Sequence, residues 1–138
     1  MSRVIDASAT LAWILQDGHT VQTDRLLDAI ANTGAVLPSL WRLEVANALQ
    51  LSVRRGRISQ KYRDASLKSL KALPITVDSE TDAQAWDDTL KFAELYRLTV
   101  YDAAYLELAL RRQLPIATRD NQLADAARAA SVTVIPTT

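Results

Sequence analysis

The chain has 138 residues, 49% apolar and 23% charged, which suffices for one domain over residues 1–138 with an ordinary globular core. Sixteen basic and 16 acidic residues cancel, so bulk positive charge for coating nucleic acid is absent, although a local basic groove is compatible with this balance. With no cysteine, disulfides, cysteine-ligated zinc and thiol nucleophiles are excluded. The longest unbroken apolar run, residues 11–15, is far short of the roughly 20 residues of a membrane span. The opening "MSRVIDAS" enters a strand without a secretory leader, so a cytoplasmic protein is expected. The sole histidine, His19, lies in the turn-like "QDGHT" and reads as a solvated loop residue, which leaves a Ser-His-Asp triad without support.

Taken in chain order, "RVID" reads as a short buried strand, followed by a helix over about residues 8–16. "VQTDRLLDAIAN" is helical, with Leu26, Leu27 and Ile30 on one face and Gly34 just past its end. "AVLPS" runs from strand into turn. A long helix follows over about residues 39–54, stopping at Gly56, and Ser59 can cap another to about Leu70. "LPITVDS" is a strand, after which Ser79 is expected to cap a helix carrying Ala83, Trp86, Leu90 and Ala93 at 3.6-residue spacing. "LTVYDAAYLELALRRQ" is the next helix, "LPIAT" a strand, "DNQLADAARAA" a helix and "VTVIP" a final strand. Strands alternating with helices predict an α/β fold, a three-layer α/β/α sandwich around a mainly parallel sheet.

In such sheets ligands bind beyond the carboxyl ends of the strands. Asp6 ends the first strand, Asp120 follows the fourth, and Asp102 opens a helix that can face the same edge. Taken singly, each also fits helix capping: Asp6 at the next turn, Asp102 three residues after Thr99 in a capping-box variant, Asp120 as an N-cap. Glu44 is different. It shares a helical stripe with Leu40, Asn47, Ala48 and Leu51, and no lysine or arginine stands three or four residues away. A carboxylate buried there needs a cation or a proton, unless the stripe is partly exposed or a distant arginine meets it.

Carboxylates gathered together repel: at about 4 Å and an effective dielectric near 20, each pair costs roughly 4 kcal/mol. A divalent cation reverses that sign, and an all-oxygen ligand set selects a hard ion, Mg²⁺ or Mn²⁺. Such an ion beside a phosphodiester can acidify a water and neutralise developing charge.

The stretches "VIDASATLAWIL", "LPSLWRLEVANALQLSVRRGRIS", "YDAAYLELAL" and "PIATRDNQLADAA", in that order, resemble a PIN-domain ribonuclease. Among these, the chain is most similar to the VapC toxins of type II toxin–antitoxin pairs. The resemblance covers essentially the whole chain. It implies that Asp6, Glu44, Asp102 and Asp120 are the catalytic and metal-binding acids, supported by the hydroxyls of Ser8 and Thr118. It further implies Mg²⁺-dependent endonucleolytic cleavage of RNA, with Mn²⁺ as a substitute, a homodimer, and inhibition by a cognate antitoxin in a heterotetramer or larger assembly. Where family members commonly read T-L-D, this chain has Thr118-Arg119-Asp120, which puts a positive charge beside the acid. Arg54, Arg55, Arg57 and Arg119 are candidate contacts to RNA or antitoxin. The arginines after Glu44 fit a solvated helix end equally well, as do Arg111 and Arg112. Asp125 reads as a surface helix residue. An RNA-processing nuclease without an antitoxin, or a non-catalytic binding module on the same fold, are the alternative readings.

Overall fold

The structure is a computed structural model that describes residues 2–15 and 19–138; the expected helix end at Gln16 lies outside them. Strand β1 (Val4–Ile5) is followed by α1 (Ala7–Ile14), α2 (Val21–Thr33) and β2 (Ala35–Leu37). Then come α3 (Leu40–Arg54), α4 (Gln60–Lys71), β3 (Ile75–Val77), α5 (Thr81–Gln84) and α6 (Asp88–Tyr96). Helix α7 (Val100–Arg112), β4 (Ile116–Ala117) and α8 (Asn121–Ala129) complete the order.

The strands pair in parallel, β1 with β4 and β2 with β3. The two ladders join where the Val36 N–H donates to the Arg3 carbonyl at 2.9 Å. Each strand is only two or three residues long, so the sheet is a narrow apolar spine: Val4, Ile5, Leu37, Ile116 and Ala117 are fully buried. One set of helices runs through α1, which touches α2 and α3, with α4 on α3. In the other, α7 packs on β1 and β4 and touches α5, α6 and α8. This is the expected three-layer α/β/α arrangement with a parallel sheet.

Local chemistry explains most of the boundaries. Thr20 and Thr23 form a reciprocal capping box at the start of α2. At its end Gly34 has φ +82°, and a Cβ there would stand 2.8 Å from the Pro74 carbonyl oxygen, so only glycine lets the chain enter β2 beside β3. Ser59 caps α4 as expected, accepting from the Tyr62 N–H at 3.0 Å. The Trp41 indole N–H donates to Thr10 Oγ1 at 2.9 Å, tying α3 to α1 in the core.

Two expectations are corrected. "VTVIP" does not form a strand; it makes one parallel bridge, Val134 to Ile116, flanked by the Ile116 N–H to Thr133 carbonyl and Ile135 N–H to Ile116 carbonyl bonds. The continuous helix after Ser79 is instead α5 and α6 with a turn between, and Trp86 on that turn is 94% exposed. The Ala83–Trp86–Leu90 stripe faces water, while Thr81, Thr89 and Ala93 are buried. Asp78, not Ser79, organises the start: its Oδ2 accepts from the Thr81 hydroxyl at 2.7 Å and the Glu80 N–H at 3.3 Å.

Asp78 is drawn inside by arginines read from sequence as solvated. Arg111 binds Asp78 at 2.7 Å, Glu107 at 2.7 Å and Glu80 at 3.1 Å, and Arg112 adds a 3.2 Å contact to Asp78. Glu107 is only 2% exposed, and the side chain of Asp78 is fully covered. Burial pushes the Asp78 carboxyl up, but the Arg111 and Thr81 hydrogen bonds and the charges of both arginines outweigh it and hold it well below the usual carboxylate range. Removing the central cation leaves the buried Glu107 carboxylate without its partner and Asp78 with Arg112 alone. Arg111→Met is therefore expected to destabilise the protein by about 3–5 kcal/mol at pH 7 in denaturant titrations.

Candidate active site

Asp6 follows β1, extending its ladder through its N–H to the Ala117 carbonyl at 3.2 Å, and it is the N-cap of α1. Its side chain is nearly buried, and every oxygen is occupied. Oδ1 accepts from the Ser8 hydroxyl at 2.7 Å and the Ala9 N–H at 3.0 Å, while Oδ2 accepts from Thr118, beyond β4. Burial raises the Asp6 pKa; the bonds from Thr118, Ala9 and Ser8 oppose this, and the charge of Asp120 adds to the rise. Ser8 accepts in turn from the Arg119 N–H at 2.8 Å, and Thr118 Oγ1 accepts from the Asp120 N–H at 3.0 Å. The two hydroxyls thus lock the turn after β4 onto the turn after β1.

Asp120 is also the N-cap of α8, with Oδ1 accepting from the Gln122 N–H at 2.8 Å and the Leu123 N–H at 3.3 Å. Asp102 sits in the first turn of α7, where its N–H donates to Thr99 Oγ1 at 3.1 Å. Only the Thr99 half of the expected capping box forms; the Asp102 carboxyl turns to Asp120 instead. Burial, then the charges of Asp120, Asp6 and Glu44, push its pKa up to about 6, and a hydrogen bond with Asp120 favours the protonated form. Glu44, half-buried in the middle of α3, accepts from the Tyr105 hydroxyl at 2.6 Å. Its pKa is raised by burial and by Asp6, against the bond from Tyr105.

Four of the candidate residues are thus one electrostatic unit: Asp6, Glu44, Asp102 and Asp120 come from four separate segments, and Asp102 feels the other three. No arginine pairs with Glu44 among the described residues. Tyr105 was not anticipated, although its place three residues after Asp102 on an apolar helix was a usable signal, because a buried phenol needs a partner. The remaining candidates divide. Arg119 is at the site through its backbone. Arg54, Arg55 and Arg57 are exposed at the far end of α3, and Arg54 alone is ten residues from Glu44, about 15 Å along the axis. Asp125 is an exposed residue of α8 beside Arg128, at 3.3 Å. His19 is exposed, 2.8 Å from Asp24.

No three acidic or histidine side chains among the described residues are gathered tightly enough to enclose an ion as they stand. The donor set nevertheless fits a hard divalent cation. It is all oxygen, and three of its carboxyls have pKa values raised by burial and, after that, by the charge of a neighbouring acid, which a cation among them would relieve.

A family model described as the PIN domain matches residues 3–129. Ribonuclease VapC3 of Pyrobaculum aerophilum is 30% identical over 125 residues, covering 91% of this chain and 94% of the relative. Ribonuclease VapC3 of Mycobacterium tuberculosis is 35% identical over 127 residues, 89% of this chain and 85% of the relative. Among solved structures, that of PAE2754 from Pyrobaculum aerophilum superposes with a TM-score of 0.71 at 24% identity, covering 98% of this chain and 84% of the other. FitAcB from Neisseria gonorrhoeae gives 0.62 at 17% identity, covering 96% of each.

Burial of these acids, together with their mutual repulsion, has a measurable pH signature. Asp102 has a folded pKa of about 6, above the roughly 3.9 of an unfolded aspartate, so it favours folding most below about pH 4. That contribution is lost as pH rises through 6, and the upward shifts of Asp6 and Glu44 have the same sign. In EDTA, the melting temperature is expected to fall between pH 5 and pH 7, and Asp102→Asn to flatten the slope. A wild-type slope of zero or of opposite sign would overturn the burial and grouping that raise these carboxyls.

Proposed function

This chain belongs to the PIN-domain family, with VapC ribonucleases among its relatives, and from that premise we propose that it is a metal-dependent endoribonuclease acting as the toxin of a toxin–antitoxin module. The observation that carries this reading is the meeting of Asp6, Glu44, Asp102 and Asp120 from four separate segments, where the charges of the other three raise the cost of ionising Asp102 beyond what burial imposes.

In this reading the four acids hold Mg²⁺, or Mn²⁺ in its place. Bound there, the ion supplies charge neutralisation at the phosphodiester and acidifies the attacking water. The chain's own residues do the positioning. Ser8 and Thr118 fix both oxygens of Asp6, so its orientation is set before substrate arrives. Tyr105 holds Glu44 toward the same cleft. Asp120 is pinned by α8 through one oxygen and offers the other. The hydroxyl contacts also favour the ionised form of Asp6 against the rise that burial causes, and an ionised carboxyl is what a metal ligand requires.

The partner implied is an antitoxin that places a basic side chain among these carboxylates, on a homodimer assembled into a heterotetramer or larger. The compartment is the cytoplasm, in keeping with the absence, among the described residues, of any helix long and apolar enough to cross a membrane.

Asp6→Asn keeps an α1 cap and removes a buried charge, so the fold is expected to persist while cleavage of single-stranded RNA in Mg²⁺ drops at least a hundredfold. Full cleavage by this variant, or by wild type in EDTA, overturns the metal-acid reading. Expression without a partner is expected to arrest growth, with relief by a co-expressed antitoxin. Normal growth with soluble, nuclease-active protein would instead favour an RNA-processing enzyme.

Glu44→Gln is a separate test, because it removes one repelling charge at nearly constant shape and keeps an acceptor for Tyr105. It is expected to melt no lower than wild type in EDTA, to gain less from added Mg²⁺, and to be inactive. A large metal-free loss of stability with cleavage retained would show Glu44 to be structural.

A further inference from the structure

Beside the acids lies an open cleft of about 360 Å³ between the end of α6 and α8, lined by Tyr96, Arg97, Gln122, Asp125, Ala126 and Ala129. Nothing in the reading above uses it. Gln122, Asp125, Ala126 and Ala129 form a single stripe along α8, so the cleft starts two residues from Asp120 and runs about 10 Å along the helix. That length suits one nucleotide of a strand whose phosphate lies at the acids.

The lining has the chemistry of nucleobase recognition. Tyr96 supplies a ring on which a base can stack, Arg97 a planar donor for a base edge, and single-stranded RNA is held chiefly by such stacking and by contacts to base edges. Gln122 and Asp125, both exposed, supply an amide and a carboxylate to read an edge, and the two alanines leave the wall of α8 low. Tyr101, next in the chain to Asp102, is 66% exposed and puts another ring at the same end of the molecule.

The cleft also has a polarity. Arg97 is donor only, and Asp125, when ionised, is acceptor only. Guanine matches that pair: its O6 and N7 accept, as they do from arginine in other nucleic-acid complexes, while its N1–H and N2–H donate to a carboxylate.

We propose that this cleft is a specificity subsite for one unpaired guanine of the RNA strand, stacked on Tyr96 and read at its edge by Arg97, Gln122 and Asp125. The inference rests on the ribonuclease reading for its substrate, and adds where sequence preference resides.

The test uses labelled RNA octamers that differ only in having guanine or adenine at each position. Binding is measured by fluorescence anisotropy to the Asp6→Asn protein in Mg²⁺, and cut positions are mapped with otherwise wild-type protein. The expected result is about tenfold tighter binding when guanine occupies one position near the cut. Arg97→Ala, Gln122→Ala and Asp125→Asn each should reduce that preference to twofold or less while the melting temperature holds. Cleavage by the same variants should spread over other sequences, with kcat within about threefold of wild type and KM raised on the guanine substrate.

The absence of guanine preference in the parent, or its survival in all three variants, overturns the subsite. The outcomes separate from those of the parent reading. Cleft-dependent guanine binding without any cleavage by wild type supports the subsite and removes the nuclease. Cleavage with a cut pattern indifferent to the three substitutions removes the subsite and leaves the nuclease.

Discussion

A carboxylate held inside the protein at the end of the central strand is the constraint from which the rest follows. Asp6 is 4% exposed, and two hydroxyls and a backbone N–H bind it from both sides, offsetting part of the cost of its burial. Those donors come from the start of α1 and from the turn after β4, so satisfying one side chain fixes the register of two parallel connections. The strands themselves are too short to do this through ladder bonds alone. A two-residue strand has little to resist slipping, and the Asp6–Ser8–Thr118 knot supplies the missing registration. The site is therefore part of what holds the sheet edge together.

The acids at that edge are kept close by scaffolding placed some distance away. Helix α7 carries Asp102 in its first turn and Arg111 in its last, where Asp78, Glu80 and Glu107 converge on it. The helix is thus anchored electrostatically at its far end while its near end carries a carboxylate among like charges. Attraction at one end offsets repulsion at the other. Burial of Ala103, Tyr105, Leu106 and Leu108 between them makes the helix stiff enough to transmit that balance.

Much of this was legible in the sequence because punctuation and chemistry coincided. Gly34, Ser59 and the aspartates after the first and fourth strands sit where backbone geometry demands those residue types, and Asp6 and Asp120 proved to be helix caps as well as members of the acidic group. Capping and membership of the acidic group were not alternatives. What sequence periodicity missed had tertiary causes. The stripe through Ala83, Trp86 and Leu90 has good helical spacing, yet the chain turns between α5 and α6 and leaves that face to water. Asp78 and Glu107 are buried where a local reading puts charge outside, because Arg111, thirty-three residues from Asp78, pairs with both. No local pattern encodes a partner that distant. Tyr105 was overlooked as one more apolar helix position, although its hydroxyl needed an acceptor.

Asp120 carries a burden that narrows what can replace it. One oxygen closes the first turn of α8 and the other faces Asp102 and Asp6, so each familiar substitution keeps one duty and forfeits the other. Asparagine or serine would preserve the cap but discard the charge. Glutamate would preserve the charge, but its extra methylene would carry the oxygen away from the N–H groups of Gln122 and Leu123, and the wall of any cleft on α8 would fray with it. A position pledged to two unrelated geometries has almost no neutral neighbours in sequence space. Drift at this edge of the molecule is therefore expected to spare Asp120 longest, because no single replacement serves both of its duties.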